Sequence, residues 1–201
     1  MESHIFSPLI VFVYGSLKND YWNWPVFCSH AVALGKGYVP GRLWLRHTGT
    51  PILQPAEQCI VQKGTADLTA DLLIQKSLLD AKRFESIRKA NQLTTQTAAA
   101  FDSVQALQEN TVSGEWMMFE NGFETLRDLD KLEEFNPLDP SKSLYDRFLL
   151  NSPTLQIPVW AYGIPTVKTT ADYRRPIDPH YWDSVAEGVP RDPKTGVFLA
   201  F

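Results

Sequence analysis

The run Pro8-Leu9-Ile10-Val11-Phe12-Val13 is apolar at every position, so a strand built from it must have both faces covered. It feeds directly into Tyr14-Gly15-Ser16-Leu17, where the pattern breaks at a sharp turn. Gly15 lets the backbone approach a ligand closely, Ser16 adds a hydroxyl, and successive N–H groups in such a turn can cradle an anionic or carbonyl oxygen. An ordinary strand-to-loop turn fits the same four residues.

A second constraint comes from Leu126 to Phe135, where Leu126, Leu129 and Leu132 recur at helical spacing. Glu133 follows Leu129 by four residues, which places its carboxyl on the apolar stripe, while Glu134 is rotated away by about 100°. A carboxyl on such a stripe loses hydration; its pKa rises and it becomes a better proton acceptor near neutral pH. A helix-end glutamate paired with Lys131 or Arg127 is the alternative reading.

Together these blocks resemble the γ-glutamylcyclotransferase-like family, which includes AIG2-like proteins and γ-glutamylamine cyclotransferases. Val11 to Leu17 is similar to the family's opening strand and Tyr-Gly-Ser loop. Val112-Ser113-Gly114-Glu115-Trp116 resembles its Val-x-Gly-Glu-Leu strand, and Leu129-Asp130-Lys131-Leu132-Glu133 its Leu-Asp-x-Leu-Glu helix. Ser143-Leu144-Tyr145-Asp146-Arg147 is similar to the Ser-x-Tyr-x-Arg element, and Val159 to Tyr162 to the closing strand. The likeness spans about residues 9–61 and 112–165. Glu134 stands where the family usually has Gly, and the stretch between Gln62 and Thr111 is longer than the usual connection.

The resemblance implies an α+β fold, a mixed β-barrel flanked by helices. It also implies cyclisation of a small γ-glutamyl amide to 5-oxoproline with release of an amine or amino acid. Glu133 would be the catalytic acid/base, Tyr14, Gly15, Ser16, Leu17 and Tyr145 would bind substrate, and Arg147 would be structural, fixing the loop after the catalytic helix through a carboxylate. No cofactor and no metal is expected. A binding or regulatory module that keeps the fold without turnover is the competing expectation.

Length and composition set the remaining bounds. The 201 residues suit one domain, able to bury about 70% of the surface its unfolded chain exposes. A net charge of −4 gives no electrostatic reason to expect nucleic acid or an acidic membrane as partner. With no long apolar run and no basic-then-apolar leader, the expected location is the cytoplasm, and Cys28 and Cys59 are expected reduced. Oligomeric state is not legible.

Strands are expected over Gly35 to His47 and Val112 to Phe119, with Pro51 to Pro55 a connection before the next strand. An inserted helical hairpin is expected within about residues 62–111. Its first helix runs from Thr69, as N-cap, to Asn91, marked by Leu72, Leu73, Leu79, Phe84 and Ile87, and its second from Ala98 to Gln108. It reads equally as a lid, a dimerisation arm or packed decoration. The aromatic cluster Tyr21-Trp22-Asn23-Trp24-Pro25 reads as a satellite core or a pocket wall.

Residues from about 166 to 201 read as a loop-rich wrap, in which Arg174 and Arg175 are surface charges or carboxylate ligands. Other chemistries lack their signatures. Cys28 and His30 have no second ligand pair at zinc spacing, Gly15 to Lys18 lacks the rest of a P-loop, and Ser16 lacks a nucleophile elbow's second glycine.

Overall fold

The computed structural model describes residues 8–19, 21–46, 51–79, 111–153, 156–165 and 173–177, with the backbone alone at 45–46, 140 and 173–177. The apolar run forms β1 (Leu9–Val13), buried at every position and central in the sheet. It is flanked by β5 (Thr111–Phe119), antiparallel, and by β7 (Ile157–Gly163), parallel, with Val11 opposite Trp160. Outward from β7 lie β6 (Asp146–Ser152) and β4 (Ile60–Lys63); outward from β5 lie β2 (Ala33–Arg46) and β3 (Pro51–Pro55).

The long strand β2 pairs with β5 through Pro40, then with β3 from Gly41 and with β8 (Tyr173–Ile177) from Leu43. This exchange of partners curls the sheet into a half-barrel, which is latched where the Ile164 N–H donates to Leu53 O at 2.9 Å. The side chains segregate by strand alternation. Ile10, Phe12, Val39, Leu53, Phe148 and Val159 fill the inside of the curl. Leu9, Val11, Val13, Met117, Leu149 and Trp160 face the other way, under the helices. The architecture is thus α+β with a mixed sheet, as expected.

Three short α-helices are described: α1 (Trp24–Phe27), α2 (Leu68–Leu78) and α3 (Gly122–Leu132). α3 packs Leu126 and Leu129 fully out of water, each contributing about 1.5–3 kcal/mol. Among the described residues no helix is long and apolar enough to cross a membrane.

Several local expectations are corrected. Pro51–Pro55 is a strand, not a connection, because its Pro residues lie at the strand ends, where β2 supplies the ladder on one side. The first insertion helix starts two residues early. Its N-cap is Asp67, whose carboxylate accepts the Ala70 N–H at 3.0 Å, and it stops at Leu78. Leu73 is exposed, and the buried stripe is Leu72 with the polar Asp71 and Gln75. The Gln75 amide accepts from Ile10 N–H at 3.1 Å and donates to Ile10 O and Pro158 O at 2.8 and 3.0 Å. It fills a gap in the β1/β7 ladder where Pro158 has no N–H to give.

α2 is therefore built into the sheet face. The second hairpin helix, the Glu85–Lys89 pair and the rest of the expected first helix lie outside the described residues. In the expected C-terminal wrap, residues 173–177 are strand β8, whose Pro176 is tolerated on an edge strand.

Candidate active site

Pairing register sets out a row of residues on the helix-covered face at one end of the sheet. Lys36 pairs with Glu115, Glu115 with Val13, and Tyr162 with Arg147, while Val13 and Tyr162 each lie two residues beyond the Val11/Trp160 pair. Over this row ends α3. Glu133 is its C-cap, with the N–H donating to Leu129 O at 2.9 Å. The apolar stripe of Leu126 and Leu129 carries the side chain inward, where it is half-buried.

Burial raises the Glu133 pKa to about 7. Among the described residues its carboxyl meets no hydrogen-bond or ion-pair partner. Lys131 and Arg127 both turn to Asp128, at 3.6 and 3.1 Å, which disposes of the surface-pair reading. Glu134 has φ 50 and occupies the left-handed position usual for Gly after a helix. The terminator is nonetheless complete: the Glu134 N–H reaches Lys131 O at 3.3 Å and the Phe135 N–H reaches Asp130 O at 2.9 Å.

The turn after β1 is held by its carbonyls. Gly15 O accepts from Lys18 N–H at 3.0 Å, Ser16 O from Asn23 N–H at 3.1 Å, and Ser16 Oγ from Asn23 Nδ2 at 2.9 Å. The N–H groups of Gly15, Ser16 and Leu17 find no acceptor among the described residues. Such a run of unspent donors suits an oxygen of a ligand. Leu17 and Tyr145 are buried in the same cluster as Leu129, Tyr162 and Cys28, with Leu132 against it. Tyr14 packs instead against the inner cluster, on the opposite face of the sheet from Leu17.

Residues that sequence reasoning did not assign complete the site. Glu115 is half-buried and accepts the Asn19 N–H at 2.6 Å, so it ties the turn to β5. Its signal was strand alternation, which sets it on the same face as Met117. The Cys28 thiol is pushed up to about 12 by burial, with the charges of Glu115 and Glu133 adding, so both carboxylates lie near it and it stays protonated. Tyr162 is raised well above 10, chiefly by burial, then by Asp130, with Glu133 contributing.

Of the aromatic cluster, Tyr21 is buried and Trp24 packs against the helix-side core. Among the described residues no three His, Cys, Asp or Glu side chains gather as metal ligands.

No family model matches this chain, and no curated protein matches it. Among solved structures it is similar to an AIG2-like protein (GGACT) of Mus musculus, with 18% identity over 85% of this chain and 88% of that one, and a TM-score of 0.44.

Proposed function

We propose that this chain cyclises the γ-glutamyl group of a small γ-glutamyl amide to 5-oxoproline, releasing an amine or amino acid, with Glu133 moving the proton. The observation that carries the reading is a carboxyl with a pKa of about 7 and no partner among the described residues, set at the end of α3, whose Leu129 and Leu132 share a hydrophobic cluster with Leu17 of the turn that follows β1. The order of motifs in the sequence supplies the substrate class.

In a γ-glutamyl amide the α-amine reaches its own γ-carbonyl, and holding the two in attack geometry offsets several kcal/mol of barrier. The α-nitrogen bonds to the γ-carbon, and Glu133 takes a proton from that nitrogen. The oxyanion that forms is met by the N–H groups of Gly15, Ser16 and Leu17. Collapse breaks the original amide C–N bond as Glu133 returns the proton to the leaving nitrogen. A carboxyl poised near neutral pH suits both transfers, since it gains and loses a proton at similar cost. Cys28, held as a thiol, takes no part as nucleophile.

The test is release of 5-oxoproline from γ-glutamyl amino acids, γ-glutamylamines and glutathione, by wild type and Glu133→Gln. Product from wild type and almost none from the variant is expected. Full turnover by Glu133→Gln would sink the mechanism. No product from folded wild type on any substrate would favour a binding module on the same fold.

A further inference from the structure

We infer that Asp71 of α2 is a positioning residue for Glu133: it holds the Arg147 guanidinium against Asp130 and so fixes the last turn of α3. The inference rests on the cyclotransferase reading for its kinetic consequence and on geometry alone for its structural one.

Among the described residues Glu133 has no side-chain partner of its own, so where its carboxyl sits depends on how the end of α3 is held. Asp130, three residues earlier, is the anchored member of that turn. Its carbonyl takes the Phe135 N–H that ends the helix, and its carboxylate takes the Tyr162 hydroxyl at 2.6 Å and an ion pair from Arg147. Arg147 is fully buried. Its guanidinium lies 4.9 Å from the Phe135 ring centroid and 5.2 Å from that of Trp160, and a Cβ on Gly64 would come within 2.6 Å of its Nε. One arm of its fork pairs with Asp130; the other pairs with Asp71 and donates to Thr65 O at 3.1 Å. Asp71 is in turn fixed by the Thr65 N–H at 2.7 Å and the Thr65 hydroxyl at 3.0 Å.

Charge balance does not require Asp71, because Asp130 already neutralises Arg147 and a second buried carboxylate adds desolvation cost. What Asp71 supplies is direction. A planar guanidinium gripped on two sides has one orientation, and through it β6, β7 and α2 agree on the place of Asp130. Among the described residues the titratable groups around Glu133 are Cys28 beyond α1 and Tyr162 on β7, with Glu115 of β5 beside the same thiol; neither the thiol nor the phenol is bonded to the Glu133 carboxyl.

The test uses Asp71→Asn, which keeps the shape and lowers the buried charge, and Thr65→Val, an exposed change that removes only the hydroxyl's contacts. Two readouts are taken on folded protein: kcat and KM for 5-oxoproline release, and a carboxyl ¹³C NMR titration of Glu133, assigned by its loss in Glu133→Gln. The expected result for Asp71→Asn is a kcat lower by roughly ten- to a hundredfold with KM nearly unchanged. The Glu133 midpoint should fall from about 7 toward the ordinary 4.5 as water reaches it. Thr65→Val should move both in the same direction by less.

Wild-type kcat and an unmoved midpoint in Asp71→Asn would overturn the inference while leaving the cyclotransferase reading intact. If wild type itself releases no 5-oxoproline, that reading fails, and the Glu133 midpoint alone decides the inference.

Discussion

Asp130 and Glu133 lie on one helix and have opposite surroundings. Asp130 is anchored by an arginine and a tyrosine hydroxyl; Glu133 has neither, among the described residues. Burial raises both carboxyls, but at Asp130 the Arg147 charge and the Tyr162 hydroxyl work against that rise, and Arg147 is itself held charged by Asp130 and Asp71. At Glu133 no described residue opposes it. Desolvation yields a structural anion where partners are supplied, and a titratable acid/base near neutral pH where they are withheld.

Substitution at each place should separate the two roles. Glu133→Gln should lower kcat by about 10²- to 10⁴-fold while leaving urea stability equal or slightly improved, since it removes an unpartnered charge. Equal loss of stability and activity would mean that Glu133 is structural after all. At the other place, Arg147→Met leaves Asp71 and Asp130 buried without a cation, and urea denaturation should show a loss of about 3–5 kcal/mol. Little change would mean that water reaches the two carboxylates and takes the place of the cation.

The pH dependence sharpens the contrast. The folded pKa of Glu133 lies at about 7 against 4.5 for the free side chain, so the folded state binds the extra proton between those values. Its contribution is therefore fully present below pH 4.5 and is lost as pH rises through 7, by at most about 3 kcal/mol and by less where solvent screens the half-buried carboxyl. The activity should run the other way, with kcat/KM rising through an acidic limb near pH 7. Denaturation of wild type and Glu133→Gln at pH 5 and pH 8 checks this: the variant should lose the difference. The smallest effect is expected at Glu134→Gly, which relieves a left-handed non-glycine residue and should stabilise by about 0.5–1 kcal/mol with activity kept.

Much of this was legible in the chain because it follows from local periodicity. The apolar run fixed β1 as an interior strand, and the Leu126/Leu129 spacing fixed both α3 and the inward phase of Glu133. The pairing of Val112 to Met118 with Ala33 to Val39 joined two segments whose content is strand-like for most of their length. Pro51–Pro55 and 173–177 were misjudged because their Pro residues argue against a strand unless one knows that the position is an end or an edge. Along α2, the apolar pattern marked Leu73 as part of the stripe and gave no sign of Asp71 or Gln75. The reverse holds because Asp71 meets Arg147, and Gln75 meets Ile10 and Pro158, from more than sixty residues away.

The sequence by itself determined which side chains have the chemistry, and on which face of its own element each one stands, since a period of 2.0 or 3.6 residues is a property of the local backbone. Tertiary structure decided which carboxylates receive a cation and which do not. That choice depends on contacts between α2, α3, β6 and β7, and no periodicity within any one element encodes them.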